Sequence, residues 1–233
     1  FASSFGIPVA AVFLLGASMS WGLDRATPAH APRTEQGEMP LEQWWTSGWQ
    51  NLPAARLDVR GRELQYFDLQ WAGAHDAIEA QLRAAGWQPV EPATFTGALR
   101  WFASTTPLAN LPVLPQVHAG HHARLTLRLP LDDDHQRLVR LWDSGVLVAR
   151  DGTSVPVWLG QIQEQTAQTR YRLFRTPVSV PSTLALPPLP AATPGTAIRS
   201  AERGGRRLWL MGPPSPLYTA PVSEPDPGTP VPL

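Results

Sequence analysis

Three histidines fall within five positions of the stretch LPVLPQVHAGHHARLTLRLP, residues 111–130, between two apolar runs. Imidazole can bind a metal, move a proton, or hydrogen-bond the backbone. On a strand His118 and His122 share a face; on a helix His118, His121 and His122 all do. Gly120 and the preceding Pro115 favour a turn over a helix. The nearest carboxylates are Asp132 to Asp134, followed by His135, at the tip of a predicted hairpin. A zinc centre needs three or four ligands and groups that orient each imidazole. A strand rise of roughly 3.3 Å per residue keeps that tip away from residues 118–122. The expectation is therefore a polar turn with no tightly bound metal and no cofactor. A hydrolase built on the His and Asp residues is the alternative.

Other residues with chemical potential are less specific. Arg124, Arg128, Arg137 and Arg140 alternate along the predicted hairpin, able either to pair with phosphate or carboxylate or to solvate the strand. His118, His121, His122, Arg124 and Trp142 are the candidate ligand contacts. The acidic run DDDH reads as a hairpin tip, where turn geometry favours Asp. No nucleophile elbow and no Gly-rich phosphate loop occurs.

Composition narrows the function classes. The 233 residues carry a formal net charge of zero, so long-range attraction to nucleic acid is not indicated. All basic residues are Arg. There is no Cys, which excludes disulfides, thiolate metal sites and a cysteine nucleophile. The ten Trp are spread along the chain and mark many elements rather than one binding cage.

The elements that would position these residues can be read from periodicity. Residues 1–23 contain no charge and end near Trp21, before Asp24 and Arg25. A bilayer core needs roughly 20 apolar helical residues, so this run predicts a membrane-crossing helix. A signal-peptide core and a buried soluble helix are the alternatives. Opening on Phe1 rather than Met suggests a fragment or a processed form. Residues 24–43 read as a linker. Trp44, Trp45 and Trp49 then pack on the domain or form an interfacial band. RLDVRG and LQYFDLQWAG read as strands, and AHDAIEAQLRAAGW as a helix with Asp76 early and a Gly86 stop. TFTGALRWFAS reads as a second, shorter helix. After residue 110 strands dominate: a hairpin over 123–143, then another turning at Asp151-Gly152, then TRYRLFRTP. Residues 177–233 are Pro-rich and read as a largely disordered tail, with RRLWLM as one last strand or an apolar spot.

In this order the segments GWQNLPAARLDVRG, LQWAGAHDAIEAQLRAAGW, PQVHAGHHA, RLWDSG and VPVWLGQI resemble the LssY-like C-terminal domain of bacterial membrane proteins. The likeness covers roughly residues 44–176. It implies a domain behind a membrane region, in some proteins a type 2 phosphatidic acid phosphatase core or a DedA-type region. None of that phosphatase's own motifs occurs in the chain, so any such core would lie upstream of Phe1. The fold expected is α+β: one N-terminal transmembrane helix, then an antiparallel-rich sheet with about two helices. The function expected is a membrane-tethered, non-catalytic accessory or binding domain. Its partners would be the lipid bilayer and an upstream membrane domain of the same polypeptide, at a bacterial inner membrane. A component of a secretion system is a further alternative.

Overall fold

Two long strands organise the molecule, β9 (His135–Arg150) and β10 (Thr153–Arg170). The computed structural model describes residues 37–90, 100, 105–170, 174–180 and 195–215. The two-residue turn between the long strands is Asp151-Gly152, with φ of 50° and 77°. Paired positive φ values match the twist of a tight hairpin, and Asp and Gly tolerate them. Pro156 lacks the N–H that a ladder needs, and the register between β9 and β10 slips between Pro156 and Trp158.

Different neighbours flank the two halves of this hairpin. On one half, β8 (Leu125–Pro130) pairs with β9, β5 (Gln88–Pro89) pairs with β8, and β11 (Phe174–Val180) pairs with β10. On the other, β1 (Gly37–Pro40) runs parallel to β9, and β4 (Leu69–Ala72) pairs with β10. Beyond β4 come β13 (Arg206–Gly212) and β12 (Ala197–Arg203). Among the described residues the result is one nine-stranded sheet. Two short hairpins stand outside it: β2 (Ala55–Leu57) with β3 (Glu63–Tyr66), and β6 (Val117–His118) with β7 (His121–His122).

Helix is scarce by comparison. α1 (Leu41–Thr46) has six residues and α2 (His75–Ala84) has ten. In α2, Ile78 and Leu82 are one turn apart and buried, Asp76 sits in the first turn and Arg83 in the last. Glu79 and Arg83 form an i,i+4 ion pair at 2.6 Å. Trp87 donates its N–H back to the Leu82 carbonyl beyond Gly86, which closes the helix end.

The expected fold class is corrected: the described residues form a predominantly β domain with two helices, not the expected α+β domain behind a membrane helix. The long strands carry β-branched and alternating residues that favour extended backbone over helix. The expected membrane helix falls on residues 1–23, outside the described residues. Among the described residues no helix is long and apolar enough to cross a membrane. The shorter helix expected over TFTGALRWFAS also falls outside them, apart from Arg100. Within the stretch read as a Pro-rich tail, β12 and β13 are built into the sheet. Leu208, Leu210 and Met211 of RRLWLM are buried, because two β neighbours give that apolar run a place to pack.

Burying both faces of the sheet makes two cores. One face takes Leu125, Leu127, Val139, Leu141, Ile162, Leu69, Trp71 and Met211, and α2 covers it with Ile78 and Leu82, helped by Trp87. The other face takes Trp142, Leu159, Val157 and Leu210 and meets Trp44, Trp45 and Trp49. Those three Trp pack in the core. The Trp44 indole donates to the Gln70 side chain at 3.2 Å, and the Gln70 amide donates to the Trp49 carbonyl at 2.9 Å. A buried amide is tolerable there because it is satisfied on both sides.

Candidate functional site

Strand alternation puts Arg128 of β8, Gln136, Leu138, Arg140 and Trp142 of β9, and Gln161, Gln163 and Gln165 of β10 on one face. Half a sheet face made of arginine and glutamine should lie in water. Here most of it is buried: Arg140 is 2% exposed, Arg128 3% and Gln136 1%. The cover is a strap, residues 107–117, which carries a short 3-10 turn at Leu108–Asn110 and buries Leu108, Leu111 and Val113.

The reason for this polar face lies in the strap's own sequence. Pro112 and Pro115 supply carbonyls but no N–H. A segment over a sheet that adds no strand to it must still satisfy its backbone carbonyls. Three arginines from three different strands do so. Arg128 donates to the Leu111 carbonyl at 3.4 Å, Arg140 to Leu114 at 3.5 Å, and Arg56 of β2 to Val117 at 2.6 Å. The Gln116 amide reaches Gln163 at 3.4 Å, and Gln163 accepts from Arg140 at 2.6 Å. Gln136 donates to Gln165 at 2.9 Å.

The histidine turn is the end of this strap. β6 and β7 are joined by Ala119 and Gly120, with φ of 48° and 83°. His118 is 8% exposed and its Nδ1 accepts the Leu57 N–H at 3.1 Å. Ala119 donates to the Leu57 carbonyl at 3.1 Å, so the turn is stitched to β2 from both sides. Burial, then the charge of Arg56, then His121 hold the His118 imidazole below the usual histidine value. The neutral ring keeps the lone pair that the Leu57 N–H needs. The His118 ring stands edge-on to Phe67 at 5.1 Å, and Phe67 meets Trp142 at 5.8 Å.

The structure separates the other candidates. His121 and His122 are exposed on β7, and Arg124 is exposed beside them. Trp142 is buried, and its indole N–H has no partner. At the hairpin tip Asp132 accepts the Asp134 and His135 N–H groups at 2.7 and 2.8 Å, and the His135 ring lies 2.9 Å from its carboxylate. Among the described residues no three His, Cys, Asp or Glu side chains are placed to hold a metal ion together. Of the four arginines expected to alternate on the hairpin, Arg128 and Arg140 turn into the protein. Arg137 faces the opposite way and pairs with Glu164 at 3.4 Å.

Arg56 is the residue that sequence reasoning passed over. It sits on a short strand at the start of RLDVRG, with nothing local to distinguish it from a solvated arginine. Burial lowers its basicity, with Asp58 acting weakly the other way. Arg140 is brought down to about 10, first by burial and then by the charge of Arg56. Both remain cations at neutral pH. The Nε–H groups of Arg56 and Arg140 are buried without a partner.

A second feature adjoins this face. A small groove of about 10 Å³ is lined by Phe67, Gln70, Tyr66, Arg203 and Arg206. Arg206 stacks over the Tyr66 ring at 5.2 Å, and Arg203 is tied to the Leu52 carbonyl at 2.7 Å. Below the groove, Asp68 accepts the Ile162 N–H at 2.8 Å and so prolongs the β4 to β10 ladder by one side chain. Burial pushes its carboxyl up to about 6, against the pull of the Ile162 amide and of Arg206.

Comparison with known proteins gives one result. The sequence model of the family described as LssY C-terminus matches residues 49–176, more than half of the chain. No curated protein and no solved structure matches it. The matched span begins at Trp49 and ends with Thr176 in β11. It therefore contains the strap, the histidine turn, and every arginine and glutamine of the polar face.

Proposed function

The chain belongs to the LssY C-terminus family, and from that premise we propose that it is a non-catalytic accessory or binding domain. On this reading it serves a membrane protein of a bacterial inner membrane, beside a lipid bilayer and an upstream membrane region of the same polypeptide. The observation that carries the reading is how the reactive side chains are used. His118 spends its free nitrogen on the Leu57 amide, and His135 lies against Asp132. Arg56, Arg128 and Arg140 hold strap carbonyls.

A hydrolase of the nucleophilic kind needs a base within hydrogen-bond reach of a hydroxyl, and a third group that orients the base. Among the described residues no histidine nitrogen is placed on a Ser or Thr hydroxyl. These side chains build a shape and a charge distribution, which is what a binding module requires.

The test is turnover. The purified full chain is expected to hydrolyse neither p-nitrophenyl phosphate nor p-nitrophenyl acetate above the buffer rate, with or without added divalent metal. Turnover that disappears in a His118→Asn, His121→Ala, His122→Ala variant would overturn the proposal in favour of the hydrolase.

A further inference from the structure

Buried guanidinium groups are almost always paired with carboxylates, because an isolated charge loses its hydration and gains nothing in return. Arg56 and Arg140 break that pattern together. Both are more than nine-tenths buried, and the charge of Arg56 reaches Arg140 and lowers its affinity for its proton. Among the described residues neither forms an ion pair. The one carboxylate that acts on Arg56 is Asp58, which sits in the turn and is bonded to Arg62 at 2.7 Å. The protein partners of the pair are amide and backbone oxygens only, Gln65, Val117, Gln163 and Leu114. Two buried positive charges thus meet the strap with only the Arg62-bound carboxylate of Asp58 acting on one of them, and each keeps an unused Nε–H.

We propose that Arg56 and Arg140 form a binding site for a phosphate-type dianion beneath the 107–117 strap. The charge count selects the ligand class. Two cations call for about two negative charges, and a phosphate or phosphate monoester carries about −1.5 to −2 at neutral pH. A guanidinium presents its Nε–H and Nη–H groups as a planar fork that fits two phosphate oxygens. The weakest protein contact of Arg140 is the one to Leu114, at 3.5 Å. An anionic oxygen at 2.7–2.9 Å is a stronger acceptor than that carbonyl. The ligand therefore exchanges with a long strap contact and leaves the 2.6 Å bonds to Gln163 and Val117 in place. Trp142 lies two residues beyond Arg140 on the same face, with a third buried and unused N–H.

The site deepens the reading of the domain as a binding module and rests on it. The two stand or fall on different measurements. Turnover of an ester would remove the non-catalytic reading and leave the anion site intact. Failure to bind phosphate would remove the site and leave the module without this ligand.

The experiment is a titration of the full chain, labelled with nitrogen-15 in arginine. Sodium phosphate is added at pH 7.5 against sodium chloride of equal ionic strength, and the arginine Nε–Hε resonances are followed. The expected result is a saturable shift of two solvent-protected Nε–Hε signals with phosphate and none with chloride. Methyl phosphate distinguishes the source. Equal binding identifies a phosphate ester group as the ligand, and loss of binding identifies the free ion.

Arg140→Gln is expected to weaken phosphate at least about tenfold, while Arg83→Gln, on α2 across the sheet, leaves it unchanged. Arg56→Lys provides a second variant that keeps the charge but loses the fork, and it is also expected to bind more weakly. Protected Nε–Hε signals that ignore phosphate would overturn the site. So would unchanged affinity in both the Arg140 and Arg56 variants. The wild-type titration decides alone where a variant does not fold.

Discussion

Two regions of one sheet are buried by different means. Under α2 the contacts are apolar and need no direction: Ile78 and Leu82 rest on Trp71, Val139 and Leu141, and area removed from water is what matters. Under the strap Leu108, Leu111 and Val113 are buried as well, but the segment is also held by contacts that have a donor, an acceptor and a geometry, from Arg56 to Val117 and from Arg140 to Gln163. Charge-assisted bonds to a carbonyl contribute about 1.5–3 kcal/mol each, offset by the cost of taking the charge out of water. The apolar face therefore holds the domain together. The strap face fixes the position of one segment and keeps donors available. A domain that must bind something while staying folded can separate the two tasks in this way.

The largest effect is expected on the apolar side. Trp71→Ala removes a side chain that is 1% exposed and leaves a cavity between α2 and the sheet. Phe or Trp to Ala changes in cores cost about 3–5 kcal/mol, and about 4 kcal/mol is expected here. The loss should be the same at low and high salt and at every pH where the protein is folded. Urea unfolding at two ionic strengths checks it. A salt-dependent loss would mean that this face also carries electrostatic strain.

Much of the apolar face was legible from residue order. Leu125, Leu127 and Leu129 alternate, Ile78 and Leu82 recur at helical spacing, and Asp151-Gly152 marks a turn; each of these patterns depends only on neighbours in sequence. The strap face was not legible, because its logic is long-range. Arg56 and Val117 are 61 residues apart, and Arg140 and Leu114 are 26 apart. An arginine on a strand looks the same whether it meets water or a proline-rich strap. His118 was singled out for its residue type, but its role depends on the Leu57 amide, which also lies 61 residues away. The C-terminal strands were hidden for a related reason. RRLWLM is too short to argue for itself until β4 offers it a partner.

Asp68, at the seam where β4 meets β10 and β13, sharpens the comparison at intermediate size. Its carboxyl is raised to about 6 in the fold, whereas an unfolded aspartate titrates near 3.8. A raised folded value means that the neutral acid is the form the fold prefers. Its stabilising contribution is complete below about pH 4 and is lost as pH rises through about 6. Asp68→Asn keeps an oxygen for the Ile162 amide and removes the charge. It should stabilise the protein by on the order of 2 kcal/mol at pH 7.5 and not at all near pH 4. Thermal or denaturant unfolding of both proteins across that range reads the difference. Equal stability at pH 7.5 would show that Arg206 and solvent already compensate the buried carboxylate.

The smallest effect belongs to the strap side and has the opposite sign. The folded value of His118 lies below the ordinary one, first through burial and then through Arg56 and His121. A lowered value means that the fold prefers the neutral ring. Stability is complete above the unfolded histidine value of about 6.5 and falls as pH drops through the lower folded value. Protonation places a proton on the nitrogen that accepts the Leu57 N–H and adds a third positive charge beside Arg56. The lost hydrogen bond alone is worth about 1 kcal/mol. His118→Asn supplies an amide oxygen near the Nδ1 position, so the Leu57 bond survives and the titration does not. The variant should match the wild type at pH 8 and exceed it at pH 5, in a background of Asp68→Asn that removes the competing trend. The readouts are denaturant midpoints and cleavage of the strap by a protease active at both pH values. Wild-type protein that keeps its strap protected at pH 5 as well as the His118→Asn variant does would show that the bond to Leu57 does not hold the strap in place.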